Sequence, residues 1–285
     1  MKHRLLVWLL ALLSPLAHAC PDALRLGAIP ERSQAAQLET LPPLASRLGE
    51  ALGLPVQVVP ASSYSGAIDA VVSGGVDLAL LGPASYLEAR RRDPGIEAFA
   101  ALVLAEGHFT PAGSRYQSLL VVRADGDFHQ PRDLRGRRVA LSDPASTSGN
   151  LIPRLEFPAA TGEPLESFFA GQLYAGAHDR ALDALLNGKV EAAFVSSTSA
   201  DDYLRRGLIG PHSLRVLWRS RPIPHDPLVF GSRLCGELRQ RVRDLLADQP
   251  QHFADVLRHW RATGLVPVGH DAYQALERAL QGSRP

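Results

Sequence analysis

Residues 67–81 read AIDAVVSGGVDLALL, and residues 181–195 read ALDALLNGKVEAAFV. At a constant offset of 114, six of these fifteen positions are identical. Each copy runs from apolar residues at three-to-four spacing, through Gly74 or Gly188, into a short apolar run. That order predicts a helix, a glycine stop and a buried strand. A generic βαβ unit accounts for part of the likeness, so the pattern argues for two α/β lobes of similar design and leaves common descent open. The same offset places Tyr64 opposite His178, each just ahead of its helix, and Gly82-Pro83-Ala84 opposite Ser196-Ser197-Thr198, each just after its strand. Ligands of open α/β sheets bind beyond the carboxyl ends of the strands. Polar side chains at equivalent positions therefore predict two rims around one cleft.

Outward from the repeat, strands and helices alternate, which indicates an α/β protein with a largely parallel sheet. Residues 24–29 and 56–59 read as strands, and Thr40, Pro42 and Pro43 as the start of a helix reaching Leu52. The apolar runs 116–122 and 214–218 bracket the second copy and are expected to be the two crossings between lobes. Residues 121–217 then form an inserted lobe, and residues 20–120 with 218–285 the other. The run Leu228–Phe230 returns to the first lobe, and amphipathic helices are expected near 234–246, 253–260 and 273–280.

Between the copies lies Asp143-Pro144-Ala145-Ser146-Thr147-Ser148-Gly149-Asn150, after the apolar run Val139-Ala140-Leu141 and before Leu151, Ile152 and Leu155. Strand, tight turn and helix follow from that pattern. Three hydroxyls and a glycine then meet the unpaired amides and positive dipole of a helix start, a setting that receives an anion. An ordinary Ser/Thr cap is the plainer reading of the stretch taken alone.

The chain has 285 residues, 46% of them hydrophobic and 21% charged, enough for one large domain or two lobes. Residues 1–19 combine a basic start, a leucine-rich core and Ala17-His18-Ala19, which predicts a cleaved secretory signal. Loss of Lys2 and Arg4 leaves 28 basic residues against 29 acidic, a balance unsuited to nucleic acid. Cleavage after Ala19 exposes Cys20, either as a lipid anchor or as the partner of Cys235 in a disulfide. Two distant cysteines without a local Cys/His cluster make no metal site, and no cofactor motif is present.

The strings D-P-A-S-T-S-G-N-L at 143–151, G-A-H-D at 176–179 and P-I-P-H-D-P at 222–227 resemble the phosphonate/phosphite-type periplasmic substrate-binding proteins. G-P-A-S-Y at 82–86 and Y-Q-S-L-L-V-V at 116–122 agree with that likeness, which spans the mature chain. The resemblance implies an α/β, two-lobed type II periplasmic binding protein with two crossing hinge strands. It implies phosphoryl oxygens at Ser146, Thr147, Ser148 and Gly149, with Tyr64, Tyr116 and His178 completing the contacts. It also implies Asp226 facing the ligand's other side. The rim Ser196-Ser197-Thr198-Ser199 departs from binders of amino-phosphonates, which carry an acid there. Ser85, Tyr86 and Thr198 complete the expected site.

The function implied is the solute receptor of an ABC importer, with a small phosphorus oxyanion as ligand and a membrane permease as partner. A sensor subunit presenting its closed state to a membrane kinase is the alternative. A hydrolase using Ser146 or Ser148 with His178 is not expected, since no G-x-S-x-G elbow is present.

Overall fold

In the computed structural model, which describes residues 20–30 and 34–282, both repeat copies form a helix, a tight turn and a strand. The helices are Tyr64–Val72 and His178–Leu186. Gly74 and Gly188 follow them with φ of +74° and +69°, the left-handed region that a Cβ penalises. Equivalent amide bonds help close the two turns: Gly75 N–H to Ala70 O at 2.7 Å, and Lys189 N–H to Ala184 O at 2.9 Å. These bonds satisfy carbonyls that a helix end leaves without a partner. The expected signal sequence lies outside the described residues.

In chain order the strands are β1 (Leu24–Ala28), β2 (Val56–Val59), β3 (Leu78–Leu80), β4 (Glu97–Leu104), β5 (Arg115–Tyr116), β6 (Ser118–Arg123) and β7 (Arg138–Leu141). They continue with β8 (Gly171–Tyr174), β9 (Ala192–Ser196), β10 (Leu214–Arg219), β11 (Ile223–Pro224), β12 (Pro227–Phe230) and β13 (Ala262–Pro267). One sheet has the order β13-β4-β12-β3-β1-β2, and a second β10-β6-β9-β7-β8. Each copy of the repeat supplies a strand near the middle of its own sheet, and each sheet lies in one half of the molecule.

Three expectations are corrected. The sheets are mixed: β1 runs parallel to β2 and β3, and β7 to β8 and β9, while β4, β6, β10, β12 and β13 pair antiparallel. Apart from Tyr116, the runs at 116–122 and 214–218 do not make the crossings, because β6 and β10 pair with each other inside the second sheet. The chain passes between halves at the short ribbon of β5 and β11, where Tyr116 faces Ile223. The first helix also starts before Pro42; it spans Gln34–Leu52 with Pro42 and Pro43 inside it.

Each half has its own core. In the second, Phe157, Phe168, Phe169, Phe194 and Trp218 pack largely edge to face, as with the 5.3 Å centroid separation of Phe157 and Phe194. Cys20 is bonded to Cys235, with Cα atoms 5.2 Å apart across 215 residues of sequence. The bond uses the sulfur that a lipid thioether would need. It ties the start of the described chain to the helix Gly236–Asp248.

Candidate functional site

Beyond β7 the chain turns at Asp143, whose carboxylate accepts the Ala145 N–H at 2.8 Å. The next five residues, Thr147–Leu151, form a π-helical turn before the helix Ile152–Glu156. Ser146 is its cap: its Oγ accepts the Gly149 N–H at 3.1 Å. A π turn is wider than an α turn and is common at functional sites. Gly149 is required for packing as well as for the turn. A Cβ there would overlap Ser142 Oγ and approach His178 Cε1 to 2.9 Å.

His178 starts its helix and is 1% exposed. The Ser196 N–H points at Nδ1 from 3.2 Å, and Ser142 Oγ lies 2.7 Å from the same atom. Nδ1 therefore presents its lone pair, and the ring proton sits on Nε2. That atom faces Ser146 Oγ at 3.4 Å and Ser148 Oγ at 3.5 Å. Ser118 Oγ donates to Ser148 O at 2.6 Å, pinning the turn to β6. Ser118, Ser142 and Ser196 were not singled out from sequence as partners of the turn or the histidine. Each sits at the cleft-facing end of a strand that an apolar run predicts, which is the signal that locates them.

The first half meets this turn with a helix start of its own. The helix Pro83–Arg92 begins at Gly82, which has no side chain to cap it. The Ala84 N–H instead donates to Thr147 Oγ1 of the second half at 2.9 Å. Ser85 Oγ donates to Ala145 O at 3.3 Å. Two helix starts thus converge on one set of hydroxyls. Tyr64 and Tyr116 are both buried in a cluster that includes Ile29 from the first half and Ile152 from the second.

Tyr86 is not part of this convergence. Successive helical residues point about 100° apart, so Ser85 faces the other half while Tyr86 turns inward. Its ring packs edge-on to Tyr273 at 5.2 Å, and its hydroxyl lies 3.3 Å from His270 Nδ1.

Asp226 and Thr198 line a neighbouring interlobe cavity of about 150 Å³, together with Tyr116. Asp226 is buried, and its charge together with burial pushes the Tyr273 phenol upward, burial being the larger cause. The rim 196–199 carries no carboxylate of its own, and the first acids after it, Asp201 and Asp202, line the cavity. Thr198, Asp201, Asp202 and Arg205 fall on one face of the helix Ser197–Arg205 and all line the cavity. Asp201 accepts the Phe109 and Thr110 N–H groups, both at 3.0 Å, and Asp202 is paired with Arg205 and Arg206. Arg154, the basic residue nearest the hydroxyl turn in sequence, is held by Asn150, Gln172, Tyr174 and Glu166. The hydroxyl turn is therefore built from neutral donors, which avoids a permanently buried cation.

Residues 26–273 match the family model described as "ABC transporter, phosphonate, periplasmic substrate-binding protein". The chain belongs to this family. It is the periplasmic binding component of an ABC importer, from a transport family rather than an enzyme family. The Phosphonates-binding periplasmic protein of Escherichia coli is 32% identical to this family member, over 82% of this chain and 68% of that one. The Phosphate-import protein PhnD of Mycolicibacterium smegmatis is 29% identical, over 92% and 86%. Among solved structures, a binding protein component of an ABC phosphonate transporter from Pseudomonas aeruginosa superposes with a TM-score of 0.82 at 23% identity, covering 90% of this chain and 85% of that one. A Prochlorococcus marinus PhnD1 structure in complex with methylphosphonate gives 0.77 at 18%, covering 92% and 98%. Both likenesses show the two-lobed type II fold.

Proposed function

We propose that this chain captures a small phosphorus oxyanion between its two halves and delivers it to a membrane permease. The observation that carries the reading is the meeting of two helix starts at Thr147, one from each half, beside a buried histidine that donates through Nε2. Tetrahedral oxygens suit that arrangement: Ser146, Thr147 and Ser148 offer hydroxyls, Gly149 lies in the amide-rich first turn, and both helix dipoles are positive there. Tyr64, Tyr116 and Ser85 complete the donors. Asp226, which only accepts, favours an oxyanion bearing a proton or a polar substituent over sulfate. The names of relatives support the ligand class, since they include phosphate import, phosphonate binding and methylphosphonate. Export to the periplasm follows removal of residues 1–19, and the ligand is held without turnover.

A thermal-shift panel of phosphite, methylphosphonate, 2-aminoethylphosphonate, phosphate and sulfate tests this. A ligand at about 100 times its dissociation constant stabilises by about 2.7 kcal/mol. At least one phosphorus compound should do so, and Ser146→Ala should weaken it by about 1–3 kcal/mol. Stabilisation by none of them, or by sulfate equally, overturns the reading.

A further inference from the structure

The interlobe cavity has room for more than a phosphoryl group. The lining of this cavity of about 150 Å³ does not include Ser146, Ser148 or His178, and it reaches toward the hydroxyl turn at Ile29. At Gly82, a Cβ would lie 3.2 Å from Ile29 Cδ1 and 3.3 Å from Thr147 Oγ1, so the two regions adjoin. A cavity of about this volume holds a benzene-sized molecule.

The first half contributes an aliphatic stretch, Ile29, Leu41, Leu80, Leu102 and Leu104, beside the polar Tyr116, His225, Asp226, His259 and Arg261. Two further lining residues, Thr110 and Trp260, each carry an orphaned polar atom. Thr110 Oγ1 and Trp260 Nε1 are both buried, and neither has a hydrogen-bond partner among the described residues. Thr110 is 3% exposed, and its loop is fixed by Asp201, which takes both the Phe109 and Thr110 amides. Gly107 on the same loop leaves space for that carboxylate, since a Cβ would overlap it.

The chemistry of these two atoms narrows the substituent. An indole N–H only donates, so the group facing Trp260 must carry a lone pair. An ammonium has none. A carboxylate has them, but Asp201, Asp202 and Asp226 outnumber Arg205 and Arg261 in the same wall. A hydroxyl accepts from Trp260 and donates to Asp226 or Thr110, while a short alkyl chain lies on the leucines. We propose that the preferred ligands are phosphonates whose short aliphatic substituent ends in a hydroxyl, with Thr110 and Trp260 setting that specificity. The proposal rests on the phosphorus-oxyanion reading above.

Isothermal titration of the exported, disulfide-bonded chain tests it. The ligands are hydroxymethyl-, 2-hydroxyethyl- and 3-hydroxypropylphosphonate, each set against its methyl-terminated and amino-terminated isosteres, with methylphosphonate as reference. For at least one chain length the hydroxyl should improve affinity by about tenfold over both isosteres, the size expected when a buried donor gains its acceptor. In Trp260→Phe, and in Thr110→Val, the hydroxyl-to-methyl ratio should fall toward one. Equal affinity for hydroxyl and methyl termini, tighter binding of the amines, or a ratio unchanged in both variants overturns the proposal while methylphosphonate binding upholds the oxyanion reading. If no phosphonate binds, methylphosphonate included, both fall. The wild-type series decides the matter even where a buried variant fails to fold.

Discussion

Asp77 in the first half and Glu191 in the second stand just ahead of the strand of their repeat copy, and each grips an arginine of the neighbouring parallel strand. Asp77 accepts the Arg25 N–H at 2.8 Å together with its Nε and Nη2, and returns its own N–H to Arg25 O. Glu191 treats Arg138 the same way, accepting N–H at 2.9 Å and Nη2 at 2.9 Å, and returning its N–H to Arg138 O. At the cleft end the copies part company. Ser196 caps its own helix by accepting the Ser199 N–H at 3.1 Å, whereas Gly82 leaves its helix to be capped across the cleft by Thr147. The histidine at the start of one copy's first helix is a tyrosine in the other. Two α/β units of one design thus share the end that builds the sheet and differ at the end that faces the cleft. In the first half, a helix-start donor is satisfied by protein only when the halves meet.

The largest test of this contrast is steric. Gly149→Ala forces a methyl against Ser142 and His178 and should cost about 3 kcal/mol in urea unfolding. Gly82→Ala, with its nearest atoms at 3.2 and 3.3 Å, should cost less than half as much. Equal costs would mean that the second half's cleft end is no tighter than the first.

Next comes the shared device. Asp77→Asn removes a buried charge from three donors and should cost about 2 kcal/mol. Glu191→Gln should cost distinctly less, because Arg138 is largely exposed. The reverse order would show that the grips are not equivalent in kind.

The caps separate stability from closure. Ser196→Ala should lower the ligand-free stability by about 1 kcal/mol. Thr147→Val should act mainly on the gain that saturating ligand brings, measured as the difference between loaded and empty melting. Parallel losses in both states for both variants would erase the distinction drawn here.

The smallest effect is a pH dependence. Hydrogen bonding to Arg138 holds the Glu191 carboxyl below its ordinary value. A lowered folded pKa stabilises above the unfolded pKa, about 4.3, and that contribution is lost as pH falls through the folded value. Wild type and Glu191→Gln should therefore differ at neutral pH and converge in acid; a constant gap would refute the assignment.

Local pattern was enough for some of the site. Ser146–Gly149 could be read as a helix start because apolar spacing flanked it, and His178 because the repeat aligned it with Tyr64. Tyr86 turns toward Tyr273 while Ser85 faces the other half, and adjacency in sequence says nothing about which side of a helix faces the cleft. Asp201 and Asp202 stand three and four residues beyond Thr198, a spacing that places them on its face of the helix. Thr110 and Trp260 had no such signal. They lie 150 residues apart and meet at one cavity only because β4 and β13 are neighbours in the first sheet.

By itself the chain's sequence determined two similar α/β halves, the left-handed glycines that end their helices, and a hydroxyl-rich turn fit for an anion. These are matters of periodicity and backbone sterics, settled within a dozen residues. Tertiary structure alone decided that Cys20 joins Cys235, that the passage between halves runs through Tyr116 and Ile223, and which distant residues line the cavity together. Those outcomes depend on which distant surfaces come together to exclude water, and spacing along a chain carries no record of that.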